Sequence, residues 1–212
     1  MTKTKKGTFI VFEGIDGTGK STQIIRLANA FKKMGHDVVV TSEPTEGVFG
    51  KKIRALYQNR SMVSTSEELD LFIKDRREHI DTLINPSLRA GKIVLSDRYF
   101  LSTAAYQGAA GCSPEAIIVC HRFAPDPDLA IIIEVPPQLC IRRITEKRGD
   151  QLNDFEQLES LKKVDSIFKQ MDLPYLERVD GSVAEEDVHR QVRELIKRLL
   201  PHLFHSVSGE HQ

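Results

Sequence analysis

The sequence predicts an α/β fold, a mostly parallel sheet of five strands with helices on its faces. Short runs rich in Val, Ile and Phe alternate with longer stretches of helical period, which is the pattern of successive strand-helix-strand units. Four of those runs are almost continuously apolar, as strands buried on both faces must be. The chain has 212 residues, 40% of them hydrophobic and 28% charged, which suits one folded domain with a sizeable core.

Strands are predicted over 8–12, 37–41, 93–96, 129–134 and 175–179. A helix is predicted over 20–34, where Ile24, Leu27, Ala28 and Phe31 share a face and Gly35 stops the run. A long helix over 67–90 ends at Gly91, and others follow Ser102, Ser113, Pro137, Asp154 and Glu185. The last carries Val188, Val192, Leu195, Ile196, Leu199 and Leu200 on one stripe and stops before Pro201. The charge-rich stretch 142–154 is where the chain is expected to leave the packed body, and 202–212 reads as a frayed tail. No repeat, low-complexity block or linker divides the chain, so a single domain over 1–212 is expected.

Thirty Lys and Arg balance thirty Asp and Glu, a net charge of +0, so no overall field draws the protein to nucleic acid or to anionic lipid. No segment approaches the roughly 20 apolar residues of a spanning helix, and the run after the basic start is too short for a secretory signal. Neither a nucleic-acid nor a membrane partner is expected. Cys112, Cys120 and Cys140 are odd in number and lack metal spacing, which reads as free thiols in a reducing cytoplasm. The seven histidines, His79 and His121 among them, also lack ligand spacing and read as packing or surface residues.

The chemistry is concentrated in Gly14-Ile15-Asp16-Gly17-Thr18-Gly19-Lys20-Ser21-Thr22, a full match to G-x-x-x-x-G-K-[ST] between an apolar strand and an amphipathic helix. Such a loop turns successive N–H groups inward and adds the positive end of the helix, so a nucleotide phosphate is its expected occupant. Lys20 is expected to reach the β- and γ-phosphates and the Ser21 hydroxyl to ligate Mg²⁺, with Asp97, at the end of the 93–96 strand, as a second metal contact. By itself the loop leaves kinase, GTPase, ATPase motor and nucleotide sensor open. Arg98 and Arg76 lie outside the loop and suggest a second phosphate site, since arginine grips phosphate bidentately. Phe72 is four residues before Arg76, on the same helix face, where it either joins the core or stacks on a base.

Together the P-loop, Glu43-Pro44-Thr45, Phe72-Ile73-Lys74-Asp75-Arg76, Ser96-Asp97-Arg98-Tyr99 and Ala105-Tyr106-Gln107-Gly108 resemble thymidylate kinase in order and spacing, from Gly7 to about Leu200. The resemblance implies a three-layer P-loop nucleoside-monophosphate-kinase fold with a short mobile lid. It implies transfer of the γ-phosphoryl of MgATP to dTMP, in the cytoplasm, by a homodimer. It further implies that Phe72 stacks on thymine, that Arg76 lies beside the base edge and acceptor phosphate, and that Arg98 binds that phosphate. Tyr106 would crowd the 2′ position with Gln107 beside it, Asp16 would meet the 3′-hydroxyl, and Glu43 would belong to the acceptor-side loop. The stretch 142–154 matches the family's lid, with Arg148 and then Arg143 as the arginines expected to stabilise transferring charge, beside Lys20 and Arg98. The same chemistry on another nucleotide or nucleoside, and a nucleotide-dependent switch, are the alternatives. A stacked Phe discriminates bases weakly, whereas Arg76, Arg98 and Tyr106 would share no purpose in a switch.

Overall fold

The computed structural model describes residues 7–58, 60–148 and 152–204. Its strands are β1 (Thr8–Glu13), β2 (Val38–Ser42), β3 (Ile93–Asp97), β4 (Leu129–Glu134) and β5 (Leu176–Asp180). All pairings are parallel and the order is β2-β3-β1-β4-β5. Every residue of β1 is buried, β3 and β4 are buried except at their last residue, and the edge strands β2 and β5 are mostly half-exposed. The continuous apolar runs are therefore the central strands, where both faces meet helices.

The helices are α1 (Lys20–Lys33), α2 (Val48–Ala55), α3 (Thr65–His79), α4 (Asn85–Arg89), α5 (Phe100–Ala109), α6 (Pro114–Cys120), α7 (Pro137–Arg148), α8 (Leu158–Gln170) and α9 (Glu185–Leu199). From β1 the chain crosses toward one edge of the sheet, and from β3 toward the other. Right-handed crossovers in opposite directions put their helices on opposite faces. Accordingly α1 packs with α9, while α5 packs with α3, α6 and α8. The same reversal opens a crevice at the carboxyl ends of β1 and β3, the usual ligand position in such sheets.

The predicted strands appear within one residue of their expected positions, and most departures have local causes. The expected helix over 67–90 is interrupted by a π-turn at Ile80–Ile84 between α3 and α4. Pro86 has no N–H for the residue one turn earlier, and the wider turn accommodates that loss without ending the helix. Its start is earlier than expected, because Ser64 and Glu67 form a reciprocal capping box. The helix expected after Ser102 begins at Phe100, capped from another strand as described below. α2 was not expected at all; it buries only Gly50 and Ile53, too short a stripe to read from periodicity. The tail expectation needs correction, because Pro201–Phe204 form a 3₁₀ turn with Leu203 buried and Phe204 edge-on to Phe31 at 5.8 Å. The rest of that tail, 205–212, lies outside the described residues. Within 142–154, α7 continues through Arg148 with Ile144 buried, so the first half of the expected lid is a helical extension of the body.

The loop after β2 is fixed by the helices that follow it. Asp75 of α3 accepts from the Thr45 amide at 2.9 Å and its hydroxyl at 2.6 Å, and Arg54 of α2 donates to the Pro44 carbonyl at 2.9 Å. The Glu43–Pro44 peptide is cis. A Cβ on Gly50 would lie 1.9 Å from the Thr45 carbonyl oxygen, so α2 and the loop approach as closely as only glycine permits. Gly50→Ala is therefore expected to cost about 1–3 kcal/mol of stability, read from chemical denaturation midpoints.

Candidate functional site

The site grows from the loop 14–19 between β1 and α1. Gly17 has φ 85°, and a Cβ there would stand 2.7 Å from the Cys140 carbonyl oxygen, so the loop is pressed against α7. Gly19 caps α1 in the left-handed region without a side-chain acceptor, which leaves the first-turn N–H groups directed at the loop's hollow. Lys20 is buried and donates to the carbonyls of Gly14 at 3.0 Å and Ile15 at 2.9 Å. Burial and then the Arg98 charge lower its pKa. Register brings β3 to the same level: Phe12 and Ser42 both pair with Asp97. The Ser21 hydroxyl donates to Asp97 Oδ2 at 2.5 Å.

Arg98 follows Asp97 and is the one non-glycine residue with positive φ, 73°, among the described residues. This conformation aims its side chain back over the loop. Nη1 donates to the Gly14 carbonyl at 3.2 Å and Ser102 Oγ at 2.9 Å, while Nη2 donates to Asp16 Oδ1 at 2.8 Å and Tyr106 Oη at 3.2 Å. The Tyr106 hydroxyl in turn donates to Asp16 Oδ2 at 2.9 Å. Burial opposes ionisation of Asp16, but the Arg98 and Lys20 charges prevail and lower its pKa to about 2.

Glu13, the last residue of β1, secures the turn that carries Arg98. Its carboxyl accepts from the Tyr99 amide at 3.0 Å, the Ser102 amide at 3.3 Å and the Ser102 hydroxyl at 2.5 Å. It thereby caps α5 from a neighbouring strand, satisfying N–H groups that Tyr99, at the N-cap, cannot.

A second cluster lines the other half of the cleft. Arg76 of α3, 1% exposed, donates from Nε to Glu43 Oε2 at 2.9 Å, from Nη2 to the same oxygen at 2.5 Å, and from Nη2 to Thr103 Oγ1 at 3.0 Å. His79 Nδ1 bonds Glu43 Oε1 at 2.9 Å. Burial opposes ionisation of Glu43, yet Arg76 and His79 lower its pKa. Arg76 therefore sits in the cleft as half of a buried ion pair with Glu43. Gln107 lies one turn after Thr103 on α5, wholly buried, and both polar atoms of its amide lack hydrogen-bond partners among the described residues. Phe72 is half-buried on the same wall.

These groups line one cleft of about 780 Å³ that runs from the loop 16–23 past Asp97 and Arg98 to Phe72, Arg76 and Gln107. Arg143 reaches the cleft wall, where Nη2 donates to the Gly181 carbonyl at 3.1 Å. The Arg148 side chain lies outside the described residues. Sequence reasoning missed Glu13, Thr103, Tyr57 and Phe155, and read His79 and His121 as packing or surface residues. Both histidines are buried, and beyond packing they are bonded into the Glu43–Arg76 cluster. Phe155, just past the expected lid, is buried against Tyr57 at 5.4 Å and Tyr106 at 6.2 Å, with the Arg60 guanidinium 4.4 Å from its ring. Only Glu13, beside the glycine loop, had a sequence position that could have drawn attention.

Burial raises the Glu13 carboxyl from 4.5 to about 7, against the Ser102 hydrogen bonds and the Arg98 charge. The folded state thus holds a proton that the unfolded chain releases, and stability falls as pH rises between those values. Glu13→Gln, which keeps a donor where the protonated carboxyl has one, is expected to lack this slope. Melting curves from pH 4.5 to 8 should show wild type losing up to about 3 kcal/mol relative to the variant.

The sequence profile of the thymidylate kinase family matches residues 12–201. A thymidylate kinase of Desulfotalea psychrophila is 50% identical over 194 residues, 92% of this chain and 96% of the relative. Thymidylate kinases of Xanthomonas campestris pv. campestris and Xanthomonas euvesicatoria pv. vesicatoria are 40% and 42% identical, over 91% and 90% of this chain and 84% and 83% of their own lengths. The chain belongs to the thymidylate kinase family.

Proposed function

We propose that the protein phosphorylates dTMP to dTDP with MgATP, by in-line transfer between a donor site at the loop 14–22 and an acceptor site lined by Arg98, Arg76 and Gln107. Family membership supports the reaction, and the unpartnered buried amide of Gln107 is the observation that carries the acceptor. A buried amide costs free energy unless a ligand completes its hydrogen bonds. Its donor and acceptor complement N3–H and a neighbouring carbonyl of a pyrimidine. Arg76 only donates, so beside Gln107 it favours a carbonyl at position 4 over the amino group of cytosine. Phe72 supplies the stacking face.

The mechanism asks the protein for position and charge. Lys20, the inward N–H groups of the loop and the amino end of α1 hold the donor phosphates. Arg98, tied to Gly14, Ser102 and Asp16, presents a pre-oriented guanidinium to the acceptor phosphate. Asp16 belongs to the donor loop yet touches both Arg98 and Tyr106, so one rigid turn sets the two substrates against each other. Its low pKa keeps it ionised for the acceptor's 3′-hydroxyl. Tyr106, held by Arg98 and Asp16, closes the space beside the 2′ carbon and disfavours ribonucleotides. Glu43, on the acceptor-side loop, holds Arg76 in place. Arg143 on the cleft wall supplies further positive charge to the equatorial oxygens; Arg148, whose side chain lies outside the described residues, is the other arginine expected in that role.

Ser21 Oγ and Asp97 Oδ2 are hard oxygen donors in mutual contact beside Lys20, and they fit Mg²⁺, which takes few protein ligands and completes its shell with phosphate oxygens and water. The ion neutralises phosphate charge when bound. A single domain over 1–212, a homodimer and a cytoplasmic location complete the reading, supported by the family. No described helix is long and apolar enough to cross a membrane.

A coupled ADP-release assay with dTMP, dUMP, dCMP, dGMP, UMP and thymidine tests the reading. dTMP is expected to lead, with dCMP far behind; preference for another acceptor, or no turnover, would overturn it. Lys20→Ala should abolish transfer. Gln107→Leu should raise the dTMP KM roughly ten-fold or more, with the ATP KM unchanged. Tyr106→Ala should narrow the preference for dUMP over UMP, an effect absent if the ring does not border the 2′ carbon.

A further inference from the structure

The Arg76 side chain is held by a residue that lies behind the cleft wall and is not among those lining it. His121, at the end of α6 and 2% exposed, places Nε2 2.6 Å from Arg76 Nη1 and Nδ1 2.7 Å from the Ile117 carbonyl oxygen. A carbonyl oxygen only accepts, so Nδ1 must carry a proton. A guanidinium only donates, so Nε2 must not. One neutral tautomer satisfies both partners; the imidazolium keeps the bond to the Ile117 carbonyl but loses the other, because its Nε2–H would face an N–H of Arg76.

This bond completes the immobilisation of Arg76. Of the five guanidinium N–H groups, Nε and one on Nη2 go to Glu43, the second on Nη2 to Thr103, and one on Nη1 to His121. A single N–H remains, on the nitrogen that His121 grips. We propose that His121 is a positioning residue for acceptor specificity: its neutral Nδ1–H tautomer orients Arg76 so that one directed donor is left for the acceptor base. The surroundings favour that tautomer. Burial, and then the adjacent Arg76 charge, push the imidazole pKa down to about 4. The ring is also stacked on Phe100 at 6.1 Å and 14°, and tilted against Phe123 at 5.7 Å, which fixes its plane.

The inference rests on the acceptor-site reading above, and two substitutions separate hydrogen bonding from packing. His121→Phe keeps the aromatic stack and removes the acceptor on Nε2. His121→Gln loses the ring and can return an acceptor oxygen near the Nε2 position. If the bond to Arg76 is what matters, His121→Phe raises the dTMP KM on the order of ten-fold or more and leaves the ATP KM unchanged, while His121→Gln retains most of the acceptor affinity. The reverse order, equal losses in both variants, no change in either, or a parallel shift in the ATP KM would overturn the proposal. Should either variant fail to fold, ¹⁵N-histidine NMR of the wild-type protein decides: His121 is expected as the neutral Nδ1–H tautomer near pH 7, and an Nε2–H tautomer or an imidazolium would refute it. That spectrum needs no nucleotide, so it stands apart from the acceptor assay; absence of transfer to dTMP by the wild type would count against the proposed function alone.

Discussion

The site depends on one carboxyl group that joins two strand ends. Glu13 closes β1 and accepts from the Tyr99 amide and from the amide and hydroxyl of Ser102, so the first turn of α5 is held at the mouth of the phosphate loop. The Arg98 amide meanwhile donates to the Phe12 carbonyl at 2.9 Å. Between these attachments Arg98 is kept at positive φ, a conformation of order 1–3 kcal/mol in cost that persists only because its surroundings over-determine it. The loop 14–19 and Arg98 are therefore referenced to the same residue pair, Glu13 and Phe12.

Charge is handled by local neutralisation. The chain has a net charge of +0, yet the cleft contains Lys20, Arg76 and Arg98, each with a built-in partner: loop carbonyls, Glu43 and Asp16. Desolvating such groups is expensive, and replacing a buried pair by apolar residues is often stabilising elsewhere. The pairs are better understood as fixing orientation than as adding stability. Breaking one leaves an uncompensated charge in a buried wall, which is why Glu43 and Asp16 matter even where they touch no phosphate.

Much of this was legible in the sequence. The five strands read correctly because the central ones are buried on both faces and thus continuously apolar. The glycine loop lies between β1 and α1, where its motif of consecutive residues placed it. Asp16, Arg98 and Tyr106 were each singled out and do meet in one hydrogen-bonded triad. The bonds of the histidines were not legible, for an equally physical reason. His79 and His121 are buried as packing residues, but their hydrogen-bond partners lie 36 and 45 residues away, and no spacing rule along the chain reports such a contact. α2 and the π-turn before Pro86 likewise reflect accommodation to neighbours more than local preference.

What the sequence determined by itself was the set of local instructions: which runs are strands, where a glycine-rich turn must form, and which charged residue types stand beside it. Periodicity and motif spacing are properties of neighbouring residues and survive without a fold. What only the tertiary structure decided was how those residues are held. Arg76 became half of a buried pair, Glu13 became the cap of a helix 86 residues away, and Gln107 was left in the cleft wall with an amide unsatisfied among the described residues. Those outcomes depend on which side chains burial brings together across the sheet, and on every buried polar group then needing a partner from the protein or from a ligand.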